Sequence, residues 1–308
     1  MAPTGSEPGA RMKAIFGLLL VVCAWPAQAT LSALSTVPEW AALAREIAGS
    51  RVDVVSATTA FQDPHHLDAR PSLIARARKA DLLLATGADL EVGWLPLVVQ
   101  ESGNARIQPG KPGYFEAAAQ VQLQGVPARV DRADGDVHAA GNPHVHTDPR
   151  NLLPIAAALA ATFARIDPAN EAHYRAGHEA FATRWQALLA DWEARASPLR
   201  GLPVVSQHQG WLYLYQWLGL REVATLEPRP GVEPSLAHLA QVRGQLAAAA
   251  PRMVIRAAYN SARPAQWFAR EAAVPEVVLP YTVGGAAGAE TLEGLYGLTL
   301  DRLLEAAK

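Results

Sequence analysis

The sequence predicts an α/β protein of two lobes, each a parallel sheet with helices on its faces, joined by one long rigid helix. Three observations predict this fold. Short β-branched runs alternate with helical stretches in the first half of the 308 residues, and the same rhythm returns in the second half. Between the halves, residues 168–197 hold a single glycine, Gly177, and no proline after Pro168. Strands that alternate with helices indicate parallel pairing, because the crossover helices cover the faces of the sheet.

The elements follow this rhythm along the chain. In the first half we expect strands at 52–57 and 81–86 and helices at 72–79 and 90–99. In the second half we expect strands at 203–207, 222–226, 252–258 and 276–279, and helices at 211–217, 234–249, 264–272 and 292–307.

The stretch between the halves has clear helix boundaries. Asp167-Pro168 is a favourable start and Ser197-Pro198 a favourable stop. About 30 helical residues would span ~45 Å, enough to run along both lobes. The alternative is two helices broken near Gly177, although one glycine costs a helix only about 1 kcal/mol. We therefore divide the chain into a leader (1–29), a first lobe (30–166), a linking helix (167–198) and a second lobe (199–308).

The beginning of the chain resembles an export signal. Met12-Lys13 is positively charged, residues 14–25 are almost wholly apolar, and Ala27-Gln28-Ala29 offers a cleavage site. A membrane anchor is the alternative, but the apolar run is short for a span. The single cysteine, Cys23, lies inside this signal. We therefore expect a soluble mature protein outside the cytoplasm, and a metal site in it must use nitrogen and oxygen ligands.

Composition excludes several classes of protein. Hydrophobic residues make up 50% of the chain, which is too many for a disordered protein. The formal net charge is −2, so the chain as a whole does not attract nucleic acid.

The histidines are the main chemical signal. Six of the nine histidines lie in segments that follow predicted strands or in a polar, glycine-containing stretch. These six are His65, His66, His138, His144, His146 and His208. Ligands of α/β sheets bind beyond the carboxyl ends of strands, so these segments can converge on one ion. His173 and His178 on the linking helix, and His238 on a surface-like helix, are expected to have solvent or packing roles.

Several segments resemble the metal-binding proteins of ABC transporters for zinc and manganese. They are DPHHLDARPS (63–72), ADLLL (80–84), GADLEVGW (87–94), NPHVHTDP (142–149), VVSQHQGWLY (204–213) and GVEPS (231–235). The resemblance runs in register from about residue 31 to 308.

This resemblance implies that His65, His144 and His208 are the metal ligands. Manganese-type members tend to have Glu at the position of His208, and three imidazoles favour Zn²⁺ over Mn²⁺. The resemblance further implies a monomeric periplasmic protein that captures Zn²⁺ between its lobes and delivers it to the membrane permease of an ABC importer. A periplasmic zinc metallochaperone is a second candidate partner.

The chain departs from the family pattern in two places. The family usually supplies a carboxylate after the last strand, where this chain reads LPYTVGG (279–285). The fourth ligand therefore stays open between water and a distant carboxylate, with His66 and His146 at the rim or behind the ligands. The long His- and acid-rich loop of zinc-type members is reduced to 131–141, which contains Asp131, Asp134, Asp136 and His138. That segment is either a short zinc-catching loop or ordinary surface.

Three other functions remain open. The chain could be a manganese or iron carrier of the same family, or an adhesion or scaffold protein with this fold. The third alternative is a secreted zinc hydrolase whose metal is bound by three histidines and a water. A hydrolase needs a general base, and nothing in the sequence directs Glu91, Glu227 or Glu233 towards the histidines. We therefore expect no enzyme.

Overall fold

Two parallel sheets form the framework of the molecule. The computed structural model describes residues 30–129, 135–246 and 249–308. The strands in chain order are β1 Leu31–Ser35, β2 Val52–Ser56, β3 Leu82–Ala85, β4 Tyr114–Glu116, β5 Pro203–Ser206, β6 Arg221–Thr225, β7 Met253–Ala257 and β8 Glu276–Leu279. The first sheet has the order β2-β1-β3-β4 and the second the matching order β6-β5-β7-β8. All strand pairs are parallel, as predicted.

Helices cover both faces of each sheet. In chain order they are α1 Pro38–Ala48, α2 Pro71–Lys79, α3 Leu95–Ser102, α4 Leu152–Ile166, α5 Glu171–Arg195, α6 Leu212–Leu218, α7 Leu236–Gln245, α8 Ala262–Ala272 and α9 Leu292–Ala306. The second lobe agrees with the predicted order of elements, with ends displaced by a few residues. The predicted helix 90–99 is corrected, because residues 89–94 form turns and α3 begins at Leu95.

The first lobe contains elements that the pattern did not predict. They are β1, α1, β4 and α4. The strand at 52–56 is therefore the second of the chain, and β1 lies between β2 and β3 in the sheet. Ser35 of β1 is buried, and its hydroxyl donates a hydrogen bond to Val37 O at 2.6 Å. This local bond satisfies the serine inside the core.

The linking helix α5 runs without interruption through Gly177. Short 3-10 turns at 168–170 and 197–199 flank it, so the linking helix predicted at 167–198 is one continuous α-helix over the shorter range Glu171–Arg195. Gly177 lies where α5 crosses α1, and a Cβ there would be 2.1 Å from Ile47 O. The glycine is therefore a close-packing residue and not a helix break.

One hydrophobic core extends across both lobes along α5. Trp185 lies in the middle of this helix, with its ring 5.1 Å from that of Phe181 and 5.5 Å from that of Tyr296 on α9. Trp192 lies about two turns further along α5, and its ring centroid is 6.3 Å from that of Trp217 on α6. Leu84 of the first sheet and Ile255 of the second belong to the same core cluster. Because large aromatic side chains fill the junction, the two lobes are packed as one unit.

Residues 1–29, with the predicted signal, lie outside the described residues. Across the part of the chain that the structure describes, no helix has the length and apolar character needed to cross a membrane.

Candidate metal centre

Three histidines from different segments meet in the cleft between the two sheets. His65 lies in the loop after β2, His144 in the segment leading into α4, and His208 in the loop after β5. All three are buried, and one nitrogen of each lies within 4.8 Å of the others. The ring centroids are 5.3 Å apart for His65 and His144 and 5.8 Å apart for His144 and His208. Three imidazoles gathered this closely have the spacing of a metal site.

The ring of His65 is oriented by Asp63. Oδ1 of Asp63 accepts hydrogen bonds from the backbone N of His65 at 2.9 Å and from its Nδ1 at 2.7 Å. Burial raises the pKa of Asp63, but the hydrogen bonds and charge of His65 outweigh it and hold that pKa at about 2. The indole of Trp94 donates to Pro64 O at 2.9 Å and fixes the same loop. His65 Nδ1 therefore carries a proton, which leaves Nε2 free to bind an ion.

His208 has the same kind of support in the second lobe. Its Nδ1 donates to Oε2 of Glu227 at 2.8 Å, and both side chains are largely buried. Burial lowers the pKa of His208, but the hydrogen bond and charge of Glu227 outweigh it, and the pKa is raised above the ordinary value. Carboxylate partners of this kind fix the ring and raise its basicity as a ligand.

His144 is held by Asn142, which also contacts the second lobe. The side chain of Asn142 accepts from His144 N at 3.0 Å and donates to Gln209 O at 3.0 Å. Burial and the neighbouring histidines hold the pKa of His144 well below its usual range. Its Nδ1 is buried and has no hydrogen-bond partner among the described residues. A buried imidazole nitrogen without a partner is costly, and such a group in a cleft calls for an explanation such as a bound ion.

A fourth histidine lies beside these three. The ring of His138 stacks on that of His65 with centroids 5.3 Å apart, and their Nε2 atoms are 3.3 Å apart. Burial, followed by the charge of His65, lowers the pKa of His138 to about 4. Asp136 contacts the exposed ring of His66 at 3.5 Å, while Asp131 and Asp134 lie outside the described residues. The shortened loop thus places one imidazole at the cleft.

The place of the family's usual acid is occupied by Tyr281 and Thr282. Tyr281 is buried with its ring 5.5 Å from that of His144. The Thr282 hydroxyl donates to Oε2 of Glu39 on α1 at 2.5 Å. The other oxygen of Glu39 lies 3.4 Å from Nδ1 of His146, whose Nε2 contacts Tyr281 O at 3.1 Å. His146 thus lies behind His144 as part of a buried contact between the lobes.

The three glutamates considered above as general bases of a hydrolase have three different environments. Glu91 is buried and accepts bonds from Thr36 Oγ1 at 2.6 Å and from the backbone N of Thr86 at 2.8 Å. It thereby ties together the carboxyl ends of β1 and β3. Glu227 is engaged with His208, and Glu233 is exposed.

The remaining histidines lie away from the cleft cluster. His173 contacts Ala48 O at 2.9 Å, at the carboxyl end of α1. His178 borders a groove between α4 and α5, and His238 is half-buried on α7. These placements are the packing and surface positions expected from the sequence.

An open cavity leads from the histidines to solvent. It has a volume of about 340 Å³ and is bordered by His138, His144 and His208 on one side. Arg129, Asp136 and Glu227 contribute charged groups to its lining. The cavity reaches two of the three clustered rings, those of His144 and His208.

Comparisons with known proteins identify the family of the chain. The family described as zinc-uptake complex component A, periplasmic, matches residues 34–306. The zinc-binding lipoprotein AdcA of Streptococcus pneumoniae is 22% identical over 237 residues, which cover 75% of this chain and 46% of that protein. The manganese ABC transporter substrate-binding lipoprotein scaA of Streptococcus gordonii is 26% identical over 168 residues, 54% of this chain and 50% of that protein. The chain thus spans about half the length of these curated relatives.

A solved structure has the same fold. The Cd-bound periplasmic metal binding protein from candidatus liberibacter asiaticus has a TM-score of 0.73 at 18% identity, with 91% of this chain and 100% of that chain covered. The relatives are named as binding components and not as enzymes, which agrees with the expectation from the sequence. Because the family match covers almost all of the described residues, the chain belongs to the family described as zinc-uptake complex component A, periplasmic.

Proposed function

We propose that this protein captures Zn²⁺ in the cleft between its lobes, with His65, His144 and His208 as ligands, and delivers it in the periplasm to the permease of an ABC importer. The observation that carries the proposal is the convergence of three buried imidazole nitrogens within 4.8 Å. Relatives named for zinc and for manganese both exist, so the choice of metal rests on the donor atoms of this chain.

The donor set favours zinc. Imidazole nitrogen is a good ligand for Zn²⁺, whereas Mn²⁺ prefers carboxylate and water oxygens. The carboxylates of Asp63 and Glu227 accept hydrogen bonds from the Nδ1 atoms of His65 and His208, respectively. They place negative charge near the ion without occupying its coordination sphere, and they fix the ring orientations.

Delivery requires the ion to leave a buried site. The continuous core along α5 opposes a large hinge movement of the lobes. The loops after β2 and β5, which carry His65 and His208, are the elements whose movement would open the site. We therefore expect local loop rearrangement at the permease, with little change in the relative position of the sheets.

A competitive titration against a chromogenic zinc chelator tests the proposal. We expect His65→Ala, His144→Ala and His208→Ala each to weaken zinc binding severely, since each removes a direct bond. His238→Ala is the matched control and should bind like wild type, because that residue lies on α7 away from the cleft. Wild-type affinity in His208→Ala would refute the ligand assignment, and tighter binding of Mn²⁺ than Zn²⁺ would refute the choice of metal.

A further inference from the structure

We propose that Tyr281 determines the metal specificity of the site, because its ring closes one side of the space at His144 and His208 and keeps the ion at a low coordination number. The inference rests on the proposed function. Tyr281 follows β8, at the carboxyl end of the second sheet, and is 4% exposed. Its ring centroid lies 5.5 Å from that of His144, with the two planes at 72°. Carbon atoms of an aromatic ring thus lie beside one of the proposed ligands.

Gly210 allows the other end of Tyr281 to approach His208. A Cβ on Gly210 would be 2.7 Å from Oη of Tyr281 and 3.2 Å from Cδ2 of His208. Cδ2 is bonded to Nε2, the nitrogen that is left for an ion while Nδ1 donates to Glu227. The Tyr281 hydroxyl donates to Gly210 O at 3.4 Å. Tyr281 therefore reaches from the ring of His144 to the Nε2 edge of the His208 ring.

The ring of Tyr281 is held in place from several directions. Its centroid lies 4.9 Å from that of Trp211 and 5.3 Å from that of Tyr259, and both pairs are T-shaped. Its backbone O accepts a hydrogen bond from Nε2 of His146 at 3.1 Å. A space between the lobes that borders Tyr281, Glu39 and His146 has a volume of about 10 Å³, room for one water at most. The ring therefore has no space into which it could swing to admit further ligands.

Coordination number distinguishes the two metals. Zn²⁺ is stable with four ligands in a tetrahedron, whereas Mn²⁺ prefers six, most of them oxygens. The open cavity of about 340 Å³ borders His144 and His208, so water can reach the ion from that side. On the side of Tyr281 the space is occupied by carbon atoms, and a buried water needs two to four polar partners. Three imidazoles and one water satisfy zinc, while manganese lacks its remaining ligands.

The visible spectrum of the Co²⁺-loaded full chain tests the proposal, because tetrahedral Co²⁺ has intense bands and six-coordinate Co²⁺ has weak ones. We expect intense bands in the wild type and in Tyr281→Phe, which keeps the ring. We expect weak bands in Tyr281→Ala, where water gains space beside the ion. Tyr174→Ala is the matched control, since Tyr174 is buried on α5 against Phe163. It should lose stability but keep the intense bands.

Competitive titration with Zn²⁺ and Mn²⁺ supplies a second readout. We expect the ratio of zinc affinity to manganese affinity to fall at least about 10-fold in Tyr281→Ala, the order by which groups behind metal ligands change affinity. If circular dichroism shows that this variant does not fold, Tyr281→Leu takes its place with the same expectation.

Intense cobalt bands and a wild-type affinity ratio in the folded variant would overturn the proposal. Weak bands in Tyr281→Phe would also overturn it, because the hydroxyl and not the ring would then set the geometry. In both cases a severe loss of zinc binding in His144→Ala would still support the proposed function. Failure of the wild type to bind zinc would instead refute the function itself.

Discussion

Replacing Gly177 by alanine tests how tightly the linking helix packs on the first lobe. Gly177 lies inside α5, and a Cβ there would be 2.1 Å from Ile47 O and 2.9 Å from Ile47 C. These are backbone atoms, so the clash cannot be relieved by a side-chain rotation. One helix must move, at a cost of about 1–3 kcal/mol for overpacking.

The same substitution improves helix propensity by about 1 kcal/mol, which opposes the clash. Because the contact involves backbone and is very short, we expect a net loss of about 1–2 kcal/mol in the free energy of unfolding. Gly244→Ala in α7 is the matched control, since a Cβ there meets nothing within 4 Å. That control should be stabilised by up to about 1 kcal/mol.

Denaturant unfolding of the metal-free protein, followed by tryptophan fluorescence, measures both changes. The core tryptophans Trp185 and Trp192 on α5 report on the junction of the lobes. If Gly177→Ala were as stable as wild type while Gly244→Ala gained stability, the close packing of α5 on α1 would be refuted.

Two further substitutions test the groups behind the ligands. Glu227→Gln removes the charge that raises the pKa of His208. Zinc affinity of the wild type should decline as the pH falls through that raised pKa, because protonated His208 cannot bind the ion. In the variant the same decline should begin at lower pH. Chelator competition over a pH series measures this, together with an expected loss of about 10–100-fold at pH 8, and an unchanged pH dependence would contradict it. Glu39→Ala leaves the buried Thr282 hydroxyl without its acceptor, so the free energy of unfolding should fall by about 1–3 kcal/mol. If denaturant unfolding showed a loss below about 1 kcal/mol, the Glu39–Thr282 bond would not be what holds the two lobes together here.

The elements that the sequence revealed are those with strong local patterns. Strand 276–279 and the helix beginning at Leu292 were predicted at their observed positions. β1 was missed because its serines interrupt the apolar pattern, and Ser35 is satisfied by a bond to Val37 O that only the folded turn provides. β4 has three residues, which is too short for a periodic signal.

The candidate ligands could be found from sequence because each lies inside a recognisable segment. Their partners could not, since the pairing depends on how distant loops approach one another. Glu227 reaches His208 only through the neighbouring ends of β5 and β6, and Glu39 reaches Thr282 across the lobe boundary. Asp63 offered a local signal, since it lies two residues before His65 and accepts from its backbone N. The place of His138 is set by the nearby bond from Asp136 N to Pro230 O of the second lobe.

A crystal structure of the zinc-loaded protein, with anomalous scattering measured on both sides of the zinc edge, tests the central claim most directly. We predict one strong anomalous peak in the cleft, about 2.0–2.1 Å from a ring nitrogen of each of His65, His144 and His208. A zinc peak at the surface, for example between His66 and Asp136, with no peak among the three buried rings would contradict the account.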